Sequence, residues 1–210
     1  MTTTTNANTS FQIGLKQPAL VIVGAIALYF AYQYAFHYFR WNEASYGYYW
    51  TYRIPLIFHL GGGLVALLVG VFQLWSGGTA KAMGAHPVSG RIYVGAVLVG
   101  SLGGMVLSVA SALYGFAWAV GVFALAVAWL AATSMAFICI KRRNIKAHRQ
   151  WMTRSYIITF AFVIFRFATD YVPYEAWWGI SPQDMAVAMI WPVWVAPLLA
   201  YDLYLQHRER

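Results

Sequence analysis

The chain has 210 residues, a formal net charge of +8, 61% hydrophobic residues and only 10% charged ones. A soluble domain carries about 25% charged residues, so this composition excludes a water-soluble globular fold and makes lipid the solvent for most of the surface. The positive balance is that of loops on the cytoplasmic side of a membrane rather than of a nucleic-acid-binding protein. The single cysteine, Cys139, excludes an intrachain disulfide and any cysteine-based zinc or iron–sulfur site.

In chain order, MTTTTNANTS comes first; it is polar and of low complexity, without the basic start and small-residue cleavage site of a signal peptide. Residues 1–16 are expected to form a disordered polar tail, residues 17–206 a transmembrane domain, and residues 207–210 a cytoplasmic tail. A bilayer-crossing helix needs about 20 apolar residues. Six runs qualify: 18–39, 54–75, 92–113, 117–140, 151–172 and 185–205. Helix is the form expected, because lipid leaves no partner for unpaired backbone groups, and the alternation of a membrane β-barrel is absent. The expected fold class is therefore all-α, an integral membrane bundle of six transmembrane helices.

Charge sets the expected orientation. With the N-terminus inside, the inner side holds Lys16, Lys81, Arg91, Lys141, Arg142, Arg143, Lys146, Arg149, Arg154, Arg208 and Arg210. The outer side holds Arg40 and Arg53, and Arg166 lies within the membrane. Both termini are expected to be cytoplasmic, with the chain in the inner (plasma) membrane of a bacterium.

The aromatic cluster Tyr46–Tyr52 precedes the second span, and Tyr171, Tyr174, Trp177 and Trp178 follow the fifth. These rings suit the headgroup layer, or a stacking, quinone-binding surface. In the second span, HLGGGLVALLVGVFQ places His59, Gly62, Gly63, Ala66, Gly70 and Gln73 on roughly one helical face. In the third, Gly100 and Gly104 form a G-x-x-x-G pair, which lets helix backbones approach closely. Glycine beside histidine also leaves room for a flat ligand such as a porphyrin. Gly115–Phe116 is expected to be a tight turn, so spans three and four are antiparallel neighbours. The loop 171–184 is expected to fold back over the bundle, and Pro192 and Pro197 to kink the sixth span.

The fifth span begins in HRQWMTRSYIITF. At 100° per residue, His148, Met152, Ser155, Thr159, Phe162, Arg166 and Asp170 fall near one line. From His148 to Arg166 that line runs about 27 Å, so this face is expected to meet protein, water or ligand rather than lipid.

Ionisable groups in a membrane mark functional sites by default. His59 and Arg166 lie at comparable depths near the outer ends of their spans, and Asp170, at i+4, is placed to pair with Arg166. On the inner side, HPVSGRIY supplies His86 and Arg91, and HRQWMTRSY supplies His148, Arg149 and Arg154. Two histidines on neighbouring helices can hold haem iron, and arginines meet its propionates through charge-assisted bonds. His86 with His148, flanked by Arg91, Arg149 and Arg154, would make an inner site. His59 with Arg166 would make half of an outer one, with His37 the nearest second histidine. The candidate metal ligands are thus His59, His86 and His148.

HLGGGLVALLVGVFQ, HPVSGRIYVG and HRQWMTRSYIITFAFVIFR together resemble the recurrent segments of a bacterial family of predicted multi-pass membrane proteins, a domain of unknown function, over about residues 20–205. The resemblance implies no established activity. It implies that His59, His86, Arg91, His148, Arg154 and Arg166 belong to one site or one structural network. A looser likeness is to the cytochrome b-type ferric reductases, six-helix proteins with two haems held by histidine pairs. The fourth span here carries Trp118 and Trp129 but no histidine to partner His59, which leaves a one-haem arrangement.

Three functions follow as expectations. The first is a haem b-binding membrane protein for electron transfer or haem handling. The second is an accessory or structural subunit of a larger membrane complex. The third is a transporter or channel with a polar path along the fifth helix. A hydrolytic or lipid-modifying enzyme lacks a nucleophile–base set. The partners expected are the lipid bilayer and other membrane-complex subunits, with no nucleic acid.

Overall fold

The structure, a computed structural model, describes residues 7–77, 84–111 and 113–208. Lys81 and Arg210 of the basic side lie outside the described residues. Every described element is helical. Helix α1 (Ala7–Phe30) begins inside the stretch expected to be a tail. It runs into a π-helical turn, Ala31–Ala35, and a 3-10 turn, Phe36–Arg40, that ends at Trp41 in the left-handed region (φ 49°). A one-turn helix α2 (Glu43–Tyr46), capped by the Asn42 side chain on the Ser45 N–H, leads to α3 (Arg53–Ser76).

Helices α4 (His86–Ser111) and α5 (Phe116–Lys141) follow, joined through Gly115 at φ 87°. A turn with Arg143 at φ 59° then enters α6 (Ile145–Thr159), where the Asn144 side chain caps the Ala147 N–H. The chain continues as α7 (Ala161–Tyr171), α8 (Tyr174–Trp178), α9 (Pro182–Met189) and α10 (Pro192–Arg208). Helices α3, α4, α5 and α6 pack in sequence as the core. Helix α1 lies against α3, and α10 against α6 and α7.

Five helices among the described residues are long and apolar enough to cross a membrane: Pro18–Arg40, Arg53–Ser76, His86–Ala110, Phe116–Lys141 and Pro182–Arg208. The run expected as a single fifth span is instead two helices, α6 and α7, separated at Phe160. The cause is local. Thr159 turns its hydroxyl back onto the Ser155 carbonyl (2.9 Å), a bond that competes with the helical ladder and bends helices. The Phe160 N–H is then shared between the carbonyls of Tyr156 and Ile157. The ladder resumes when the Ile164 N–H reaches the Phe160 carbonyl (3.1 Å). The last span is also interrupted, at Ile190–Trp191. Pro192 starts α10 there, while Pro197 is accommodated inside that helix.

The burial pattern is that of a protein in lipid. Val106, Val109, Phe123, Val127 and Leu199 are exposed on the long helices, whereas Gln73, Ser76, Ser101, Ser108, Thr133 and Ser155 are buried between them. Water would favour the reverse arrangement.

The α3–α4 contact is built on glycine. A Cβ on Gly62 would lie 2.5 Å from the Ala96 carbonyl oxygen and the Gly100 nitrogen, and one on Gly103 2.7 Å from the His59 nitrogen. About two turns further along α3, Gly70 makes way for the ring of Tyr156, whose hydroxyl donates to the Leu67 carbonyl (3.0 Å). The closest backbone contacts are thus at Gly62 and Gly103, while in the G-x-x-x-G pair Gly100 faces the Gly63 nitrogen and the Trp129 ring and Gly104 faces the His59 imidazole.

Candidate functional site

The middle of the stripe expected to face inward, Ser155 and Thr159, faces the core, whereas Arg166 and Asp170 at its far end are exposed. The Ser155 hydroxyl meets those of Thr133 (2.6 Å) and Tyr93 (2.8 Å), and Thr159 meets Tyr93 (2.9 Å) and accepts from the Trp129 indole N–H (2.8 Å). This hydroxyl knot closes the middle of the bundle. It divides a basic end, with Gly77, His86, Lys141 and Arg208, from an aromatic end, with Arg40, Arg53, Phe116 and Tyr171.

At the basic end the predicted site residues are engaged with the protein. Ser76 Oγ lies 2.8 Å from His86 Nδ1, while Gln73 donates to the His86 carbonyl (3.1 Å) and to Ser89 Oγ (2.5 Å). His148 donates Nδ1–H to the Ala136 carbonyl on α5 (2.9 Å). The Arg149 guanidinium reaches the Gly77 carbonyl at 3.5 Å. Arg154 places Nε and Nη2 on Asp202 Oδ1 (2.9 and 2.7 Å), with the Trp151 and Tyr201 rings beside its guanidinium. Arg154 therefore ties α6 to α10 and has its counter-charge within the chain. Arg91 is exposed.

At the aromatic end the structure opens a cavity of about 230 Å³ among α1, α3, α4, α5 and α7. His59, Gly63, Gly104, Trp118, Trp129, Thr159, Phe162 and Arg166 are on its wall. Gly104 seats the imidazole: a Cβ there would stand 2.9 Å from His59 Nδ1. That nitrogen lies 2.9 Å from the Gly100 carbonyl oxygen. A carbonyl only accepts, so Nδ1 carries the proton and, in the neutral ring, Nε2 carries the lone pair. Gly63 is one turn from His59 on the same helix, and a Cβ added there would meet nothing within 4 Å.

Arg166 faces the Tyr34 ring (5.3 Å) and stands 3.9 Å from Asp170 Oδ1, the i+4 pair expected from the sequence. Asp170 also accepts from the Tyr34 hydroxyl (2.7 Å), and the Tyr29 and Tyr171 hydroxyls bond to each other. These contacts latch α1 to α7 along one side of the cavity. Burial pushes the Tyr49 phenol, also on the wall, up to about 12, so it is neutral at physiological pH. His37 lies against Tyr38, ring centroids 3.9 Å apart, and is not among the described lining residues.

The structure therefore brings His59 and Arg166 to one cavity, and His86, His148 and Arg149 to the opposite end, where His86 is within electrostatic reach of the other two. Among the described residues no three His, Cys, Asp or Glu side chains gather around a common metal position. Sequence reasoning missed Tyr93, Thr133 and Asp202, and it placed Gln73 on the small-residue face of α3 without its partners His86 and Ser89. Asp202 had a signal, an acid inside an apolar run. Tyr93 and Thr133 had none, since lone hydroxyls on apolar helices are ordinary.

A family model described as "Predicted membrane protein (DUF2306)" matches residues 56–205. No curated protein and no solved structure matches the chain.

Proposed function

Since the chain belongs to the DUF2306 family of predicted membrane proteins, the bilayer is its working medium, and we propose that it holds a flat redox ligand, haem b, in the cavity at its aromatic end. The observation that carries this reading is His59. Its Nδ1–H is fixed on Gly100, its Nε2 lone pair is left for a ligand, and the open space at Gly63 adjoins it. A carbonyl that holds the other nitrogen fixes the tautomer and the ring orientation, as is usual for a metal-binding imidazole. Arg166, on the same wall, would pair with a propionate. When bound, haem supplies one-electron chemistry. The chain's own residues seat and orient the ring, and the Tyr93 hydroxyl knot closes the cavity's inner end.

The same reading takes α6 and α7 together as one crossing, which makes six in all. It places the basic end in the cytoplasm of a bacterium and the aromatic end outside. The concentration of Lys and Arg at one end supports it.

A reduced-minus-oxidised absorption spectrum of purified protein tests the assignment. Expected is a b-type signal that is lost in His59→Ala and weakened in Gly63→Leu, with both variants still folded. Protein from haem-replete cells that shows a flat spectrum and yields no haem on extraction would overturn it. A second reading, a quinone headgroup hydrogen-bonded to His59 and Arg166, is favoured by there being one histidine on the described wall. Extraction of a quinone from that same preparation would establish it instead.

A further inference from the structure

A second concavity lies at the basic end, away from the His59 cavity and unused by the function proposed for it. It is a cleft of about 560 Å³ between the start of α6 and the end of α10. Lys146, Arg149 and Arg208 line it, with Tyr204 and Leu205 beside them, and no carboxylate is among its described lining residues. The nearby acid on α10, Asp202, is held by Arg154 through two contacts. Among the described residues, Arg149 and Arg208 bond to neutral acceptors, the Gly77 carbonyl and the Tyr204 hydroxyl, which do not offset their charge.

The helix dipole adds to the imbalance. Lys146 and Arg149 stand in the opening turns of α6, where the dipole is positive and disfavours cations, and no acid occupies that first turn. Lys146 and Arg149 are three residues apart and so share one helical face. Tyr204 and Arg208 do the same on α10, four apart. An anion entering the cleft would meet all three cations, while Leu205 and the Tyr204 ring offer an apolar and amphipathic surface next to them.

We propose that this cleft binds the phosphate headgroup of an anionic phospholipid, its phosphate among Lys146, Arg149 and Arg208 and its glycerol and upper acyl carbons against Tyr204 and Leu205. Basic pockets at helix ends are where such headgroups bind, each cation contributing about fivefold in affinity. The cleft thereby fixes the α6–α10 contact in a membrane of suitable charge.

The test titrates full-length protein in neutral detergent with phosphatidylglycerol, phosphatidylcholine or inorganic phosphate, reading thermal unfolding. It also scores lipid retained on the wild-type protein by native mass spectrometry. Expected are a rise in melting temperature and retained lipid with phosphatidylglycerol alone. Lys146→Gln should weaken the response about fivefold and Lys146→Gln with Arg208→Gln about 25-fold, while Arg91→Gln, an exposed cation outside the cleft, changes nothing. Equal stabilisation by phosphatidylcholine or by inorganic phosphate would overturn the proposal, as would an Arg91→Gln loss equal to that of Lys146→Gln. If the double variant does not fold, the single variant and the wild-type mass spectrum still decide between these outcomes.

Discussion

The two ends of the bundle carry the same residue types and use them oppositely. At the basic end, Arg154, His148, Gln73 and Ser76 close on partners within the chain. At the aromatic end, His59 uses one ring nitrogen for the protein and keeps the other beside an open cavity, with Arg166 only loosely paired to Asp170. The difference lies in neighbours rather than composition. Arg154 faces an acid on another helix across two short contacts, while Arg166 faces one on its own helix at 3.9 Å. A histidine or arginine in a membrane thus marks polarity, and only its partners say whether that polarity is spent on the fold or kept for a ligand.

The contrast breaks most completely at Gly62. Gly62→Ala would force a Cβ against three backbone atoms of α4. It should cost about 3 kcal/mol or more and release both the His59 seat and the Gln73–Ser89 bond. Gly61→Ala, where nothing lies within 4 Å, should be neutral or stabilise by up to about 1 kcal/mol. Thermal unfolding in detergent separates the two, and equal melting temperatures would mean that α3 and α4 do not meet at Gly62.

The basic end alone is broken by Arg154→Ala. With 19% of the Arg154 side chain and 43% of the Asp202 side chain exposed, the loss should be about 2 kcal/mol, between the values for surface and buried pairs. In a double-mutant cycle, adding Asp202→Ala should recover most of it. A cycle with no coupling would show that the pair contributes nothing.

Tyr93→Phe sharpens the boundary between the ends. It removes the hydroxyl shared with Ser155 and Thr159 and should cost about 1–2 kcal/mol, read from chemical unfolding. Tyr34→Phe, at the exposed Asp170, should cost less. A reversed order would place the polar centre of the bundle elsewhere.

Much of this was legible in the sequence. Apolar run length finds the long helices, and the i+4 spacing finds Arg166–Asp170. The 100° stripe finds the inward face that carries Ser155 and Thr159, and it puts Arg166, which is exposed, on the same line. Three features were not legible, each for a physical reason. The break at Phe160 comes from one hydroxyl turning onto one carbonyl, which hydropathy does not weigh. Gly62 and Gly63 are adjacent, and only the approach of α4 separates a backbone contact from an open wall. The Arg154–Asp202 pair joins segments 48 residues apart; both residues are visible in the sequence, but nothing local says that they meet.

The pairing of α6 with α5 bears on how the chain enters the membrane. A segment that opens with Lys146, Arg149 and Arg154 resists transfer into lipid, since each cation costs about 2.5–3.5 kcal/mol at the bilayer centre and less near its edge. Helix α5 is apolar along its length yet presents the groups α6 requires: the Ala136 carbonyl for His148, the Thr133 hydroxyl for Ser155 and the Trp129 indole for Thr159. The two therefore suit insertion as a helical hairpin, with α5 leading and α6 drawn in against it already hydrogen-bonded. Helix α5 thus carries, in its own apolar length, the hydrogen-bonding partners of the more polar helix that follows it.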